Sequence, residues 1–359
     1  MNGRPPAGAS YKWSAIILFV GLPWGMVYGV LAAADDLPTE LAEKESLFQA
    51  RPAINTVVIG GSRALRVAEQ PFADRGWAFF NMALNGQYPE DEAMELKYAL
   101  LHRPIRRVAL GVSFENMSER YAFEGTFNWK EPQFHQPAIL DFANFDPAAM
   151  PAEPPSLSRK VGILLKNYVL PIDRARPRFH GLLDRAGIEE IPPLFLPNGN
   201  AAYVRIEREI HGGSYDFKAN QDPVHYWQMH GEEAYLRNGK LAEHAKVLYR
   251  KMFAELRRLK IPTVVFETPR TPEYQAMIEA NAQLAALYAE WLTFFRTECH
   301  GCVKFVEATA MADCYDYAEF FDPVHYIGQT EQRVGLRLAA ELAELERTCG
   351  AQSDIRERP

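Results

Sequence analysis

The sequence predicts an α/β fold, a doubly wound parallel sheet of five strands flanked by helices. Three observations predict it: short β-branched apolar runs recur along the chain, they alternate with helical stretches, and chemically reactive residue types gather where the runs end. The first run, Ile54–Ile59, ends in Gly60-Gly61 and reads as a buried strand feeding a tight turn, with a helix beginning over Ala64–Glu69. Trp77–Met82 is the second run, followed by Asn85-Gly86 and a helix over Pro89–His102. Arg107–Val112, ending in Ser113, is the third. Residues 114–235 then break the rhythm and read as a long insertion after strand three, with some helix over Ser158–Val169. Helical spacing returns at Lys240–Leu259, and Thr263–Phe266 makes the fourth strand. A long helix over Pro272–Cys299, a fifth strand at Val303–Val306 and a helix over Gly328–Arg347 complete the pattern. In that last helix Val334, Leu338, Leu342 and Leu345 mark one buried face.

Residues 54–347 therefore form the main domain, with 114–235 inserted in it and 348–359 as a flexible tail. Ahead of it, residues 1–36 read as a cytoplasmic tail and membrane anchor, and the Glu-rich 37–53 as a connector. The 22 uncharged residues Trp13–Ala34 match the length that crosses the ~30 Å core of a bilayer. Arg4 and Lys12 precede them and Asp35, Asp36 and Glu40 follow, which places the body on the exported side, periplasmic or extracellular. Ala32-Ala33-Ala34 also fits a signal-peptidase site, but the apolar stretch is longer than the ~7–15 residues of a usual signal core. A net charge of -7 excludes a nucleic-acid backbone as the main partner.

The four cysteines, Cys299, Cys302, Cys314 and Cys349, fit structural disulfides in any of three pairings, or buried thiols. Cys299-His300-Gly301-Cys302 supplies only half a metal site, so neither metal nor cofactor is expected. Of the insertion's aromatic residues, among them Phe123, Phe127, Trp129, Phe134, Tyr203, Tyr215, Tyr226 and Trp227, most are expected to form its core.

In doubly wound sheets functional groups collect at the carboxyl ends of the strands. Those ends carry Ser62, Asn85-Gly86, Ser113, Pro269 and the loop that holds Asp322 and His325. A serine hydroxyl becomes a competent nucleophile when an imidazole takes its proton and a carboxylate orients the imidazole. Asp322-Pro323-Val324-His325 offers that pair in a proline-stiffened turn. The same pentapeptide, Asp-Pro-Val-His-Tyr, recurs at 222–226, in the irregular region and without a preceding strand, so His225 is the less favoured base.

Gly60-Gly61-Ser62-Arg63, then Asn81-Met82-Ala83-Leu84-Asn85-Gly86, then Phe321-Asp322-Pro323-Val324-His325 with Gly328 before a terminal helix, resemble in order the blocks of the SGNH (GDSL-like) hydrolases. The likeness covers about residues 54–113 and 240–345. More narrowly, the N-terminal anchor, the Ser-Arg pair and the insertion resemble proteins that act with membrane-bound O-acyltransferases, such as alginate O-acetylation proteins and the accessory protein of D-alanyl-lipoteichoic acid synthesis. The resemblance implies a flavodoxin-like three-layer sandwich and a catalytic triad of Ser62, Asp322 and His325. It implies a serine esterase or O-acetyltransferase acting on an exported polysaccharide or acylated glycan, or else a non-catalytic accessory partner of a multi-pass O-acyltransferase. Two positions depart from the pattern. Gly61 stands where the family has Asp, and Gly111-Val112-Ser113-Phe114-Glu115-Asn116 replaces Gly-x-Asn-Asp. The oxyanion donors expected are then the amides of Ser62 and Gly86, with Asn85 or Asn116 in place of the missing side chain. Arg63 and Arg270, beside strand ends, are the candidates for holding substrate.

Overall fold

The computed structural model describes residues 40–85, 87, 89–117, 195–203, 216, 220–230 and 240–356. The chain divides into two compact units, and all of these residues belong to the one formed by 40–152 and 193–359. The expected span at 13–34, the helix at 158–169 and the aromatic residues Phe123, Phe127, Trp129, Phe134 and Tyr215 lie outside the described residues. Among the described residues no helix is long and apolar enough to cross a membrane.

Five parallel strands form one sheet: β1 (Thr56–Gly60), β2 (Phe79–Asn81), β3 (Arg107–Val112), β4 (Thr263–Glu267) and β5 (Val303–Val306), in the spatial order β2-β1-β3-β4-β5. The predicted five-stranded parallel α/β fold is therefore present, with the strands within a few residues of their expected limits. Side chains alternate along each strand and divide the core in two. Val57, Ile59, Phe80, Val108, Leu110, Val112 and Val265 face one cluster, and Val58, Phe79, Ala109, Val264 and Phe266 face the other.

The first cluster is covered by α1 (Glu40–Ala50), α3 (Pro89–His102), α5 (Glu243–Arg258) and α7 (Ala282–Glu298), with Phe48, Leu96, Phe253 and Trp291 in its centre. On the opposite side the short α2 (Gln70–Ala73) and the terminal α8 (Gln329–Arg356) pack on the sheet, and α8 buries the expected Val334, Leu338, Leu342 and Leu345. Two further helices, α4 (Pro223–His230) and α6 (Pro272–Ala280), lie near the carboxyl end of the sheet.

Four elements differ from expectation, each for a local reason. The connector is helix α1, because Lys44 and Phe48, four residues apart on one face, are both buried, with the Lys44 ammonium bonded to the carbonyls of Asn81 and Gly199. The helix expected over Ala64–Glu69 is a single 3₁₀ turn, Ser62–Ala64. Beyond it Asn200 takes both backbone groups of Val67, accepting from its N–H and donating to its carbonyl, so those groups are unavailable to a helix. The long helix over 272–299 is two, divided at Asn281, whose side chain accepts from the amides of Gln283 and Leu284 and caps α7. Finally, the tail continues α8 to Arg356, and Cys349 within it is disulfide-bonded to Cys302 at the start of β5, while Cys299 and Cys314 are free thiols.

That bridge spans 47 residues and ties the terminal helix to an edge strand. Closing a loop of this length restricts the unfolded chain, so Cys349→Ser is expected to lower stability by about 2–4 kcal/mol, measured by urea unfolding without reductant.

Candidate active site

The turn after β1 depends on a close backbone approach. Gly60 pairs with Gly111 of β3, and a Cβ on Gly60 would lie 2.5 Å from the Gly111 carbonyl oxygen, while one on Gly111 would lie 2.8 Å from Ala64 Cβ. Two glycines therefore let the turn bearing Ser62 fold down onto the end of β3. Ser62 is half-buried at its first position. The side-chain amide of Asn116 closes against this turn, since a Cβ on Gly61 would sit 3.3 Å from Asn116 Nδ2. One hydrogen of that amide goes to the Gln87 carbonyl at 2.9 Å. Of the two asparagines proposed as oxyanion donors, Asn116 is thus beside Ser62, whereas Asn85 is exposed. Gly86 lies outside the described residues.

Asp322 and His325 come together as the sequence suggested. His325 Nδ1 lies 2.6 Å from Asp322 Oδ2, and Asp322 Oδ1 accepts the amides of Val324 and His325, each at 2.8 Å. One carboxylate oxygen thereby fixes the turn and the other fixes the imidazole. Burial pushes the Asp322 carboxyl up, but the facing imidazole and these hydrogen bonds more than offset it and leave the group below its ordinary range. His325 Nε2 is buried and has no hydrogen-bond partner among the described residues. The turn itself is held on three sides. Phe321 donates its N–H to the His325 carbonyl, Phe320 bridges Tyr326, and the Thr271 amide at the start of α6 donates to the Pro323 carbonyl at 2.8 Å. Val324 joins one core cluster while Phe320 and Tyr326 join the other, so the turn sits astride the carboxyl end of the sheet.

The second Asp-Pro-Val-His-Tyr copy has a different structure. Asp222 accepts the Val224 amide and opens α4, with Pro223 in the first turn, and His225 is exposed. Val224 is 53% exposed where Val324 is fully buried. Tyr226 and Trp227 pack against Tyr274, so these two insertion aromatics are core residues. The Gln221 amide donates to the Phe320 carbonyl, which places the two copies side by side.

Arg63 and Arg270 were expected to face substrate, but both guanidinium groups are buried against carboxylates. Arg63 Nη1 donates to both oxygens of Glu115 at 3.0 Å, and Arg270 Nη2 donates to Glu267 Oε1 at 2.8 Å. Tyr288 adds a hydroxyl to Glu267 at 2.6 Å, and the Ala308 amide beyond β5 donates to its other oxygen at 2.9 Å. Burial raises the Glu115 carboxyl, yet Arg63 and Arg270 together hold it below its usual value. Two positive and two negative groups thus meet where β1, β3 and β4 end. The two carboxylates were not anticipated from sequence, although Glu267, ending an otherwise apolar strand three residues before an arginine, was a readable signal.

No protein-family model, curated protein or solved structure matches the chain.

Glu115→Gln leaves Arg63 and Arg270 short of a buried counter-charge and is expected to cost about 3–5 kcal/mol in denaturant unfolding. Asp322 has its folded-state pKa depressed, so its stabilisation is complete above the ordinary carboxylate range and is lost as pH falls through the folded value. Between about pH 5 and pH 2 the native protein should lose more stability than Asp322→Asn, measured as the thermal midpoint across that range.

Proposed function

We propose that the protein is an SGNH-type serine acyl-ester hydrolase or O-acyl(acetyl)transferase acting on an exported cell-envelope polysaccharide, tethered to the cytoplasmic membrane through residues 13–34. The observation that carries this reading is the Asp322–His325 pair, in which a carboxylate engages Nδ1 at 2.6 Å and leaves a buried Nε2 unpartnered among the described residues. A surface histidine beside a helix cap, as at His225, has neither feature. The strand order 2-1-3-4-5 supports it as well, being that of flavodoxin-like sheets, whose ligands bind outside the carboxyl ends of the strands.

In this mechanism Ser62 Oγ attacks the acyl carbonyl while His325 Nε2 takes its proton, and Asp322 stabilises the imidazolium without itself accepting a proton. The tetrahedral oxyanion is held by the Ser62 amide, the Gly86 amide and the Asn116 side chain, the last replacing the donor absent from the third sequence block. His325 returns the proton to the departing alcohol, leaving an acyl-serine. Water or a sugar hydroxyl, deprotonated by His325, then takes the acyl group. Arg63 and Arg270 act through Glu115 and Glu267 on the placement of the strand ends and touch no substrate.

A serine-directed fluorophosphonate probe tests the reading. Labelling is expected in the native protein and in His225→Ala, to vanish in Ser62→Ala, and to fall about 10²–10³-fold in Asn116→Ala. A folded native protein that does not label removes the catalytic reading and leaves a non-catalytic partner of a membrane O-acyltransferase.

A further inference from the structure

We infer that Tyr203 is a positioning residue for His325, acting through the ring of Phe321, and that the hairpin carrying it locks nucleophile and base into one frame. The inference rests on the assignment of Ser62 and His325 made above, and it gives a role to residues 195–203 of the insertion. A single hydrogen bond from Nδ1 to Asp322 leaves an imidazole free to rotate about that contact. The direction in which Nε2 points requires a second restraint on the ring plane. Phe321 supplies it, lying parallel to the imidazole within 9° with ring centres 5.6 Å apart. Phe321 is in turn met by the Tyr203 ring at 5.2 Å and 74°, an edge-to-face contact that fixes its own plane.

Tyr203 is placed by a short hairpin, residues 195–203, in which Phe195 bridges Ala201. The hairpin is bound to the segment that follows Ser62: the Ala201 amide donates to Leu65, and Asn200 holds both backbone groups of Val67. A Cβ at Gly199 would come within 2.1 Å of the Asn81 carbonyl oxygen, so the hairpin tip sits directly on the end of β2. Arg66, from the same segment, lays its guanidinium 5.6 Å from the Tyr203 ring centre and pairs with Glu331 of α8 at 2.8 Å. Tyr203 itself has φ 43°, a left-handed backbone conformation that residues with a side chain adopt only where their surroundings enforce it. The path from the serine turn through hairpin, Tyr203 and Phe321 to the histidine is one of direct contacts throughout.

The test compares Tyr203→Ala and Tyr203→Phe in the full chain by two readouts. One is the imidazole NMR signature of His325, above all its Nδ1 proton in the short bond to Asp322. The other is the rate and pH profile of fluorophosphonate labelling at Ser62. Tyr203→Ala is expected to broaden or shift the Nδ1 proton and slow labelling about fivefold, on the order an edge-to-face ring pair is worth. Tyr203→Phe, which keeps the ring, is expected to restore both to within about twofold. If Tyr203→Ala fails to fold, Tyr203→Leu fills the space without the ring and is judged by the same criteria. An unmoved Nδ1 proton with unchanged labelling in the ring-less variant overturns the inference and leaves the acyl-transfer reading standing. A native protein that never labels overturns that reading, while the imidazole comparison still decides whether Tyr203 orients His325.

Discussion

The arrangement depends first on the buried charge layer under the carboxyl ends of the strands. Glu115 follows β3, Glu267 ends β4, Arg63 follows β1 and Arg270 precedes α6, so the ends of three neighbouring strands meet through four ionised groups. Isolated charges in an apolar interior are strongly unfavourable, and each of these is tolerable only while its partners stay in place. Hydrophobic contacts are non-directional and would accept a strand end displaced slightly along its axis. Bidentate contact between Arg63 and both oxygens of Glu115 does not accept it. The layer therefore adds a directional restraint at the strand ends to the one that the ladder hydrogen bonds supply along β1, β3 and β4.

From that base the two halves of the site are built differently. The serine turn is defined by close approach, with Gly60 and Gly111 removing the side chains that would hold it off the sheet. The histidine turn is defined by polar contacts, since Asp322 uses both oxygens and Pro323 is tethered to Thr271. Glu331 joins them, its backbone carbonyl accepting from the Ala68 amide and its carboxylate from Arg66 and the Gly328 amide, so the first turn of α8 is fastened to the loop beyond Ser62.

Much of this was legible in the sequence, and the division follows physical lines. Strands with a β-branched apolar run bounded by glycine or a polar residue were found because burial on both faces imposes composition directly. Asp322 and His325 are legible because a carboxylate three residues before a histidine lies within reach of its imidazole and the pair follows the last strand, a setting that Asp222 and His225 lack. What was missed depends on partners distant in sequence. Arg63 looks ligand-facing until Glu115, 52 residues on, is seen to meet it. Helix α1 was hidden because Glu40, Glu43, Lys44 and Glu45 interrupt any apolar face, and Lys44 is nonetheless buried, its ammonium bonded to carbonyls from elsewhere in the chain. The division of the helix at Asn281 was visible in principle, asparagine being a strong capping residue, but apolar periodicity continues across it.

The two copies of Asp-Pro-Val-His-Tyr show what such a pattern contains. Identical in sequence and adjacent in space, one is a helix start with a solvent-facing histidine and the other a closed turn with a bonded one. Their tyrosines are both buried, so the difference enters at valine: Val324 has a core to enter and Val224 has none. The same five residues therefore adopt two backbone forms, and selection between them is made by the receiving surface. The short pattern acts as an option that tertiary structure exercises, and its information content resides as much in the cavity beneath the valine as in the aspartate and histidine themselves.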